Sequence, residues 1–384
     1  MHICFLAPQI EYYSPTVGGA ISTGIMQKAK RLIARGHKVS VLAIATEEPT
    51  YPYGDLIPLI PTDPENFNFF QRRLAALQIR LRRWDRRFYE YYMRSFVRAL
   101  RRLRPAPDAV ICHNDFVSPQ YIKRAVPAAK VIVSLHNEQG TRRKDLSDTL
   151  PYVHRFVTNS DYIRKWTAQR YNIPLDKFVV TLNGVDLETF TPRQHYLEPV
   201  NPLRVLCLGR IDRNKGADIA ADAVALLRQE GLSVRLCVAG DVWFYKRAGD
   251  ENDPFAALLK EKTEAVEGDY LGHVPRPEVP VLVRRHDVVC VLSRSNEPFG
   301  LVALEAMASG CAVIASDRGG LPEACGGAAW LVNPDDFQSV VNALRTLASI
   351  PPVLNEYKRR SVARAARGTW DSNVDGLEHV LNEP

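Results

Sequence analysis

The sequence predicts an α/β protein built from two Rossmann-like halves, and three observations predict it. An apolar strand over residues 2–8 runs into a loop with Gly18-Gly19, then a helix over 20–34 ended by Gly36, then a second strand over 39–45. Strand, glycine loop, helix and strand is the order of a βαβ unit. From residue 203 the same alternation returns, with apolar strands at 203–208, 234–239, 288–292 and 312–315, each leading into a polar or glycine-bearing loop. At 384 residues and 46% hydrophobic, the chain is long enough for two packed cores.

The opening helix has its apolar residues at Ile21, Ile25, Ala29 and Leu32, one face of a helical repeat. Adjacent glycines let a backbone come close to a bulky group. The loop lacks G-x-G-x-x-G, no acid follows the second strand to hold a ribose, and there is no P-loop lysine, which argues against a nicotinamide or P-loop site. Residues 47–70, rich in Pro and Tyr, read as an irregular insertion. Residues 71–103 carry Leu74, Leu77, Leu81, Trp84 and Phe88 through Leu103 at spacings of three and four, with arginines opposite. This is an amphipathic helix or helical pair. Its basic face suits anionic lipid or a lipid-linked molecule, and equally a scaffold helix with a solvated face.

Strands over 108–112 and 130–135 end in His113-Asn114-Asp115 and His136-Asn137-Glu138, which places both histidines at carboxyl ends of neighbouring strands. A strand over 156–159 precedes a helix to Tyr171 capped by Ser160 or Asp161, and a strand over 178–182 precedes Asn183-Gly184-Val185-Asp186. The proline-spaced stretch 191–202 is the expected linker. Beyond it, Arg210 and Lys215 stand five apart in the loop after 203–208, two cations beside whatever anion sits at the sheet edge. Glu297 falls in the loop after 288–292, and Glu305 lies along the helix over 300–309. The free N–H groups at that helix start make a seat for a phosphate. Carboxylates beside it suit a ligand with hydroxyl-bearing groups next to its phosphates, such as a nucleotide sugar.

The seven cysteines are scattered through apolar runs with no C-x-x-C, and read as small buried hydrophobes in a reducing compartment. Residues 1–8 are too short for a signal peptide and lack a basic start, and no apolar run reaches membrane-span length. The expectation is a cytoplasmic protein, with the arginine-rich helix 71–103 as a contact to the inner face of the membrane. A net charge of +7 favours anionic partners, and the absence of a nucleic-acid module argues against nucleic acid.

Two glutamates eight apart around Pro298-Phe299-Gly300, together with Gly209-Arg210-x-x-x-x-Lys215-Gly216, Gly272-His273-Val274 and Gly319-Gly320-Leu321-Pro322-Glu323, resemble the retaining glycosyltransferases of GT-B fold, family-4 type (glycosyl transferases group 1). The resemblance implies two Rossmann-like domains facing each other across a cleft. These are an acceptor-side domain over 1–195, a nucleotide-sugar domain over 203–365, and a terminal helix over 366–384 packing back on the first. It implies that Arg210, Lys215, Gly209 and the N–H groups of Gly300, Leu301 and Val302 meet a donor diphosphate, with Phe299 beside them. It assigns Glu297 to the sugar hydroxyls, Glu305 to the ribose, Val274 to the base, His136 to the sugar, and Gly18 and Gly19 to the diphosphate from the other wall. His113 and Glu138 fall on the acceptor side. No metal or other cofactor is expected, and no Asp-x-Asp is placed to carry a metal. The implied reaction moves a hexose from a UDP-hexose such as UDP-glucose, or next from GDP-mannose, to a glycan or lipid-linked acceptor in polysaccharide or glycoconjugate synthesis. Rival readings are a non-catalytic nucleotide-sugar-binding regulator, an epimerase and a phosphorylase of related fold.

Overall fold

The computed structural model describes residues 1–9, 11–59, 93, 95–141, 143–198, 200–242 and 253–384. They form two compact units, one of Met1–Thr158, Trp166–Val179 and Val374–Pro384, the other of Asn159–Lys165 and Val180–Asn373. The first unit holds strands β1 (His2–Leu6), β2 (Lys38–Ile44), β3 (Asp55–Leu59), β4 (Ala109–His113), β5 (Lys130–Leu135), β6 (Arg155–Thr158) and β7 (Phe178–Val180). Its helices are α1 (Ala20–Ala34), α2 (Ser118–Ala125), α3 (Arg143–Thr149) and most of α4 (Asp161–Tyr171). The second unit holds β8 (Leu203–Leu208), β9 (Val234–Ala239), β10 (Asp269–Gly272), β11 (Val288–Val291), β12 (Ala312–Ser316) and β13 (Trp330–Val332). Around them lie α5 (Ala217–Gln229), α6 (Pro254–Ala265), α7 (Val279–Arg284), α8 (Leu301–Ala308), α9 (Leu321–Cys325), α10 (Phe337–Ser349) and α11 (Pro351–Ala365), and the chain ends in α12 (Trp370–Asn382).

The first sheet runs β3-β2-β1-β4-β5-β6-β7 and the second β10-β9-β8-β11-β12-β13. The pairs from β3 to β6 and throughout the second sheet are parallel. Strand order therefore turns back between β1 and β4 in one sheet and between β8 and β11 in the other. Such switch points open a crevice at the carboxyl ends of the strands, where ligands bind in open α/β sheets.

Buried on both faces, the strands are apolar throughout, as parallel sheets require. In the first unit Ile3, Phe5, Val41 and Ile111 meet Ile25 and Leu32 of α1, and Val374, Leu377, Val380 and Leu381 of α12 join the same core. The terminal helix thus packs on the first sheet as expected. Lys130 Nζ donates to the Leu381 carbonyl at 3.0 Å, and Arg155 pairs with Glu383 at 2.7 Å. In the second unit the two sheet faces carry separate cores, one closed by α5 and α10, the other by α8. All seven cysteines are buried and unbridged.

Some expectations need correction. Residues 47–70 are not wholly irregular, since β3 adds a parallel strand to β2, with Val41 opposite Leu56 and Ala43 opposite Pro58. Pro58 disguises the strand, and an edge position tolerates its missing N–H. Residues 180–198 group with the second unit, ahead of the boundary expected at 195, because Val185 and Phe190 enter its core. Of the basic helix expected over 71–103, residues 95–102 are helical with Phe96 and Leu100 buried, and 71–92 lie outside the described residues. Among the described residues no helix is long and apolar enough to cross a membrane.

Candidate functional site

The second unit gathers the predicted site residues at its switch point, on the loops after β8 and β11. After β8, Gly209 takes φ +143°, and Asp212 caps a single turn over Arg213–Lys215 by accepting from Asn214 N–H at 2.8 Å. Gly216 follows at φ +71°, pressed against the Leu292 carbonyl so that no side chain fits. After β11, Arg294 locks the two loops together. Its N–H donates to the Asn214 carbonyl at 2.7 Å, and its guanidinium forks onto Asp218 at 2.8 Å for each bond. Lys215 and Glu297 are brought together by this clamp. Lys215 Nζ pairs with Glu297 Oε1, which also accepts from Ser293 Oγ at 2.6 Å.

The Glu297 backbone is equally held. Extended as the residue before a proline should be, it pairs with Gly319, and its carbonyl accepts from Gly320 N–H at 2.6 Å. The Pro298 carbonyl accepts from Ser160 Oγ at 2.6 Å. Gly319 and Gly320 press against Glu297 and Pro298 so closely that a Cβ at either would collide. Phe299 is buried, and Gly300 at φ +98° starts α8 with no side-chain cap. The first-turn N–H groups of Leu301 and Val302 therefore offer the partial positive charge of an open helix start.

Further along α8, Glu305 is 4% exposed, and Arg276 forks onto it, one bond at 3.0 Å. The same guanidinium lies 5.2 Å from the Phe190 ring centroid. Val274, two residues before Arg276, packs at the edge of the core beneath α8. Arg210 is one-third exposed and pairs with Asp212 at 3.0 Å. Among the described residues no group of three His, Cys, Asp or Glu is arranged to hold a metal.

In the first unit the histidines do come together. His113 Nδ1 and His136 Nε2 share a hydrogen bond of 2.8 Å, with Ser134 Oγ 3.1 Å from the same Nε2. Asn114 Oδ1 accepts from His136 N–H at 2.8 Å. Burial holds both imidazoles well below their ordinary pKa, helped by the charge of Lys28, so both are neutral at physiological pH. Both histidines are buried, while Glu138 is exposed. Gly18 and Gly19 are needed by the chain itself. Gly18 lies against the Ser14 carbonyl, and a Cβ on Gly19 would stand 2.6 Å from the Glu11 carboxyl carbon. Glu11 Oε2 accepts from Ser22 N–H at 2.9 Å, so a carboxylate already occupies the start of α1. Burial raises its pKa against the lowering pull of those N–H groups.

Two family models divide the chain. Residues 17–189 match the family described as Glycosyltransferase Family 4, and residues 189–367 match Glycosyl transferases group 1. The chain is a group 1 glycosyltransferase of GT-B fold. The group 1 chain is 30% identical over 227 residues to a D-inositol 3-phosphate glycosyltransferase of Pseudarthrobacter chlorophenolicus, covering 56% of the chain and 52% of that protein. It spans about half the length of that relative. It is 27% identical to a glycogen synthase of Mycobacterium tuberculosis over 94% of the chain and 89% of that protein. Its fold is shared with the Anabaena protein HepE, solved in complex with UDP and glucose, at a TM-score of 0.73, 18% identity and coverage of 100% and 99% of the two chains.

Sequence reasoning missed several residues that position the site in this group 1 chain. Arg276 is one, although it stands two residues past Val274. Ser293 and the Arg294–Asp218 fork are others. Glu323 accepts from the N–H groups of Asp161 and Tyr162 at 2.6 and 2.8 Å, completing the cap of α4 to which Ser160 also contributes.

Proposed function

We propose that the chain is a retaining hexosyltransferase that uses a nucleoside diphosphate sugar, a UDP-hexose in first place and GDP-mannose next, and needs no metal. The observation that carries the reading is the joining of Lys215, Glu297 and Ser293 at the β8/β11 switch point beside the uncapped start of α8. As the glycosidic bond of the donor breaks, negative charge builds on the departing diphosphate. Prepositioned donors that meet this charge lower the barrier. Lys215, Arg210 and the N–H groups of Gly300, Leu301 and Val302 are such donors, and Gly209 and Gly216 keep that loop close to the phosphates.

Glu297, oriented by Ser293, accepts from the sugar hydroxyls, and Glu305, held by Arg276, accepts from the ribose. Val274 lies at the base and Phe299 supports the turn. Glu297 is not a nucleophile in this reading. The acceptor hydroxyl attacks from the face the diphosphate leaves, and a phosphate oxygen takes its proton. His136, neutral and therefore able to donate or accept without a change of charge, contacts the sugar by family resemblance. The likeness of fold to HepE, a protein solved with UDP and glucose, supports a uridine donor. A glycan or lipid-linked molecule is the proposed acceptor, in polysaccharide or glycoconjugate synthesis.

The test is turnover of UDP-glucose followed by proton NMR, with water as the surrogate acceptor when no glycan is added. Glucose should appear first as the α anomer, with free UDP. A hydrogen bond to a charged group is worth about 10- to 100-fold, and Glu297→Gln, which removes the charge that holds the sugar hydroxyls, should slow turnover by about that much. First appearance of the β anomer would overturn retention. Conversion of UDP-glucose into another UDP-hexose without UDP release would identify an epimerase instead.

A further inference from the structure

The buried face of α1 carries Ile21, Ile25, Ala29 and Leu32, and Lys28 is buried with them. Lys28 is 4% exposed, and among the described residues its ammonium has no hydrogen bond or ion pair. A buried charge without a partner is among the most unfavourable arrangements a fold can hold, and a methionine of similar volume would fill the same space. Around it stand two more nitrogen-bearing groups. The buried face of α1 that carries Lys28 packs on Ile111 of β4 and Ile132 of β5, the strands whose carboxyl ends bear His113 and His136, and its charge acts on both imidazoles. His113 Nε2 is buried without a partner. When His136 Nε2 donates to His113 Nδ1, the neutral His113 carries its proton on that orphaned Nε2.

Two carboxylates of this edge are committed elsewhere, and a third, Glu138, is exposed. Asp115 accepts from Val117 and Ser118 N–H at 2.7 and 2.9 Å, and Glu11 caps α1 through Ser22. No acid acts on Lys28, whose pKa burial alone brings down to about 8. The switch point of the first sheet thus holds a positive charge on which no carboxylate of the described residues acts, beside neutral imidazoles.

We propose that Lys28, with the His113–His136 pair, forms an oxyanion site in the first unit that takes a phosphate group carried by the acceptor. The assignment of that phosphate to the acceptor rests on the transferase reading.

The probe is inorganic phosphate, added to the full chain already saturated with UDP, with thermal unfolding as the readout. Phosphate should raise the melting temperature further, since a ligand of the folded state stabilises it by mass action. Lys28→Met should lose this increment, keep the UDP response, and melt higher than the wild type when no phosphate is present. A structural lysine would behave in the opposite way, the variant melting lower. Lys28→Arg should retain the phosphate response. A phosphate increment unchanged in Lys28→Met, or absent from the UDP-saturated wild type, overturns the proposal, the latter because the oxyanion would then be the donor's own. Loss of the UDP response in the wild type would count against the transferase reading and leave the phosphate result standing.

A pH series on the wild type adds a check that needs no variant. The phosphate increment should fade as pH rises through about 8, where Lys28 gives up its proton. Between about 8 and the ordinary lysine value of 10.5 the unfolded chain binds more protons than the folded one, so unliganded stability gains a rising contribution there. Lys28→Met should lack that contribution. A phosphate increment that persists undiminished at pH 10 contradicts the assignment.

Discussion

The carboxyl edges of the two sheets treat charge in opposite ways. In the second unit Lys215, Arg210 and Arg276 lean on Glu297, Asp212 and Glu305. In the first, Lys28 has no counter-ion among the described residues, and the two imidazoles beside it are neutral. A paired cation meets an incoming anion by exchanging one partner for another, so its gain is a difference between two strong interactions. An unpaired one carries its full desolvation cost until a ligand arrives. The paired edge suits repeated binding and release of a charged leaving group. The unpaired edge suits a ligand whose charge the site itself is missing.

The contrast is sharpest against a cluster whose central charges, Asp287 and Lys358, are both fully buried. Asp287 is fully buried and accepts from Arg204 at 2.8 and 3.0 Å, Arg193 at 2.7 Å and Lys358 at 3.0 Å. Breaking such a cluster strands the buried Lys358 ammonium and typically costs about 3–5 kcal/mol, so Asp287→Asn should give the largest loss of stability in urea unfolding. Burial raises the Asp287 pKa, but Arg204 and Lys358 lower it further, to about 2. Its contribution is therefore present above the ordinary carboxylate value and lost as pH falls from there toward about 2. The penalty of the variant should shrink over that window, and a constant penalty down to pH 2 would contradict the ionised pair.

Lys215→Ala breaks a pair that faces ligand. UDP-glucose turnover should fall about 100- to 1000-fold while the melting temperature of the free protein changes much less than in Asp287→Asn, because Lys215 is one-third exposed and Ser293 Oγ still donates to Glu297. A large stability loss with activity intact would make this pair structural and erase the contrast. Glu305→Gln should raise the KM for donor about 10- to 100-fold with little change in kcat, the range of a hydrogen bond to a charged group. An unchanged KM would remove the ribose assignment. Smallest is Ser293→Ala, which takes one hydrogen bond from Glu297 and should lower turnover about five-fold, in line with roughly 1 kcal/mol per bond. No effect would mean that Lys215 orients Glu297 alone.

The sequence shows some of this plainly. Helix Ala20–Ala34 is legible to the residue because Gly19 and Gly36 punctuate an apolar stripe. The cations and glutamates of the second unit are legible because short loops between strongly apolar strands fix where they fall. Arg276 is hidden because its meaning depends on Glu305, 29 residues away on another element, and Glu323 because it caps a helix 162 residues earlier. Strand Asp55–Leu59 is masked by its proline. Lys28 escapes for a different reason. A search for apolar periodicity counts Ile25 and Ala29 and passes over the one polar residue that shares their burial.

The most direct test of the donor site is a thermal-shift screen of the wild type and Lys215→Ala against UDP, GDP and ADP. One diphosphate, UDP first, should stabilise the wild type through the Lys215 site, and the variant should lose the response. An undiminished response in Lys215→Ala, or no response of the wild type to any of the three, would contradict it.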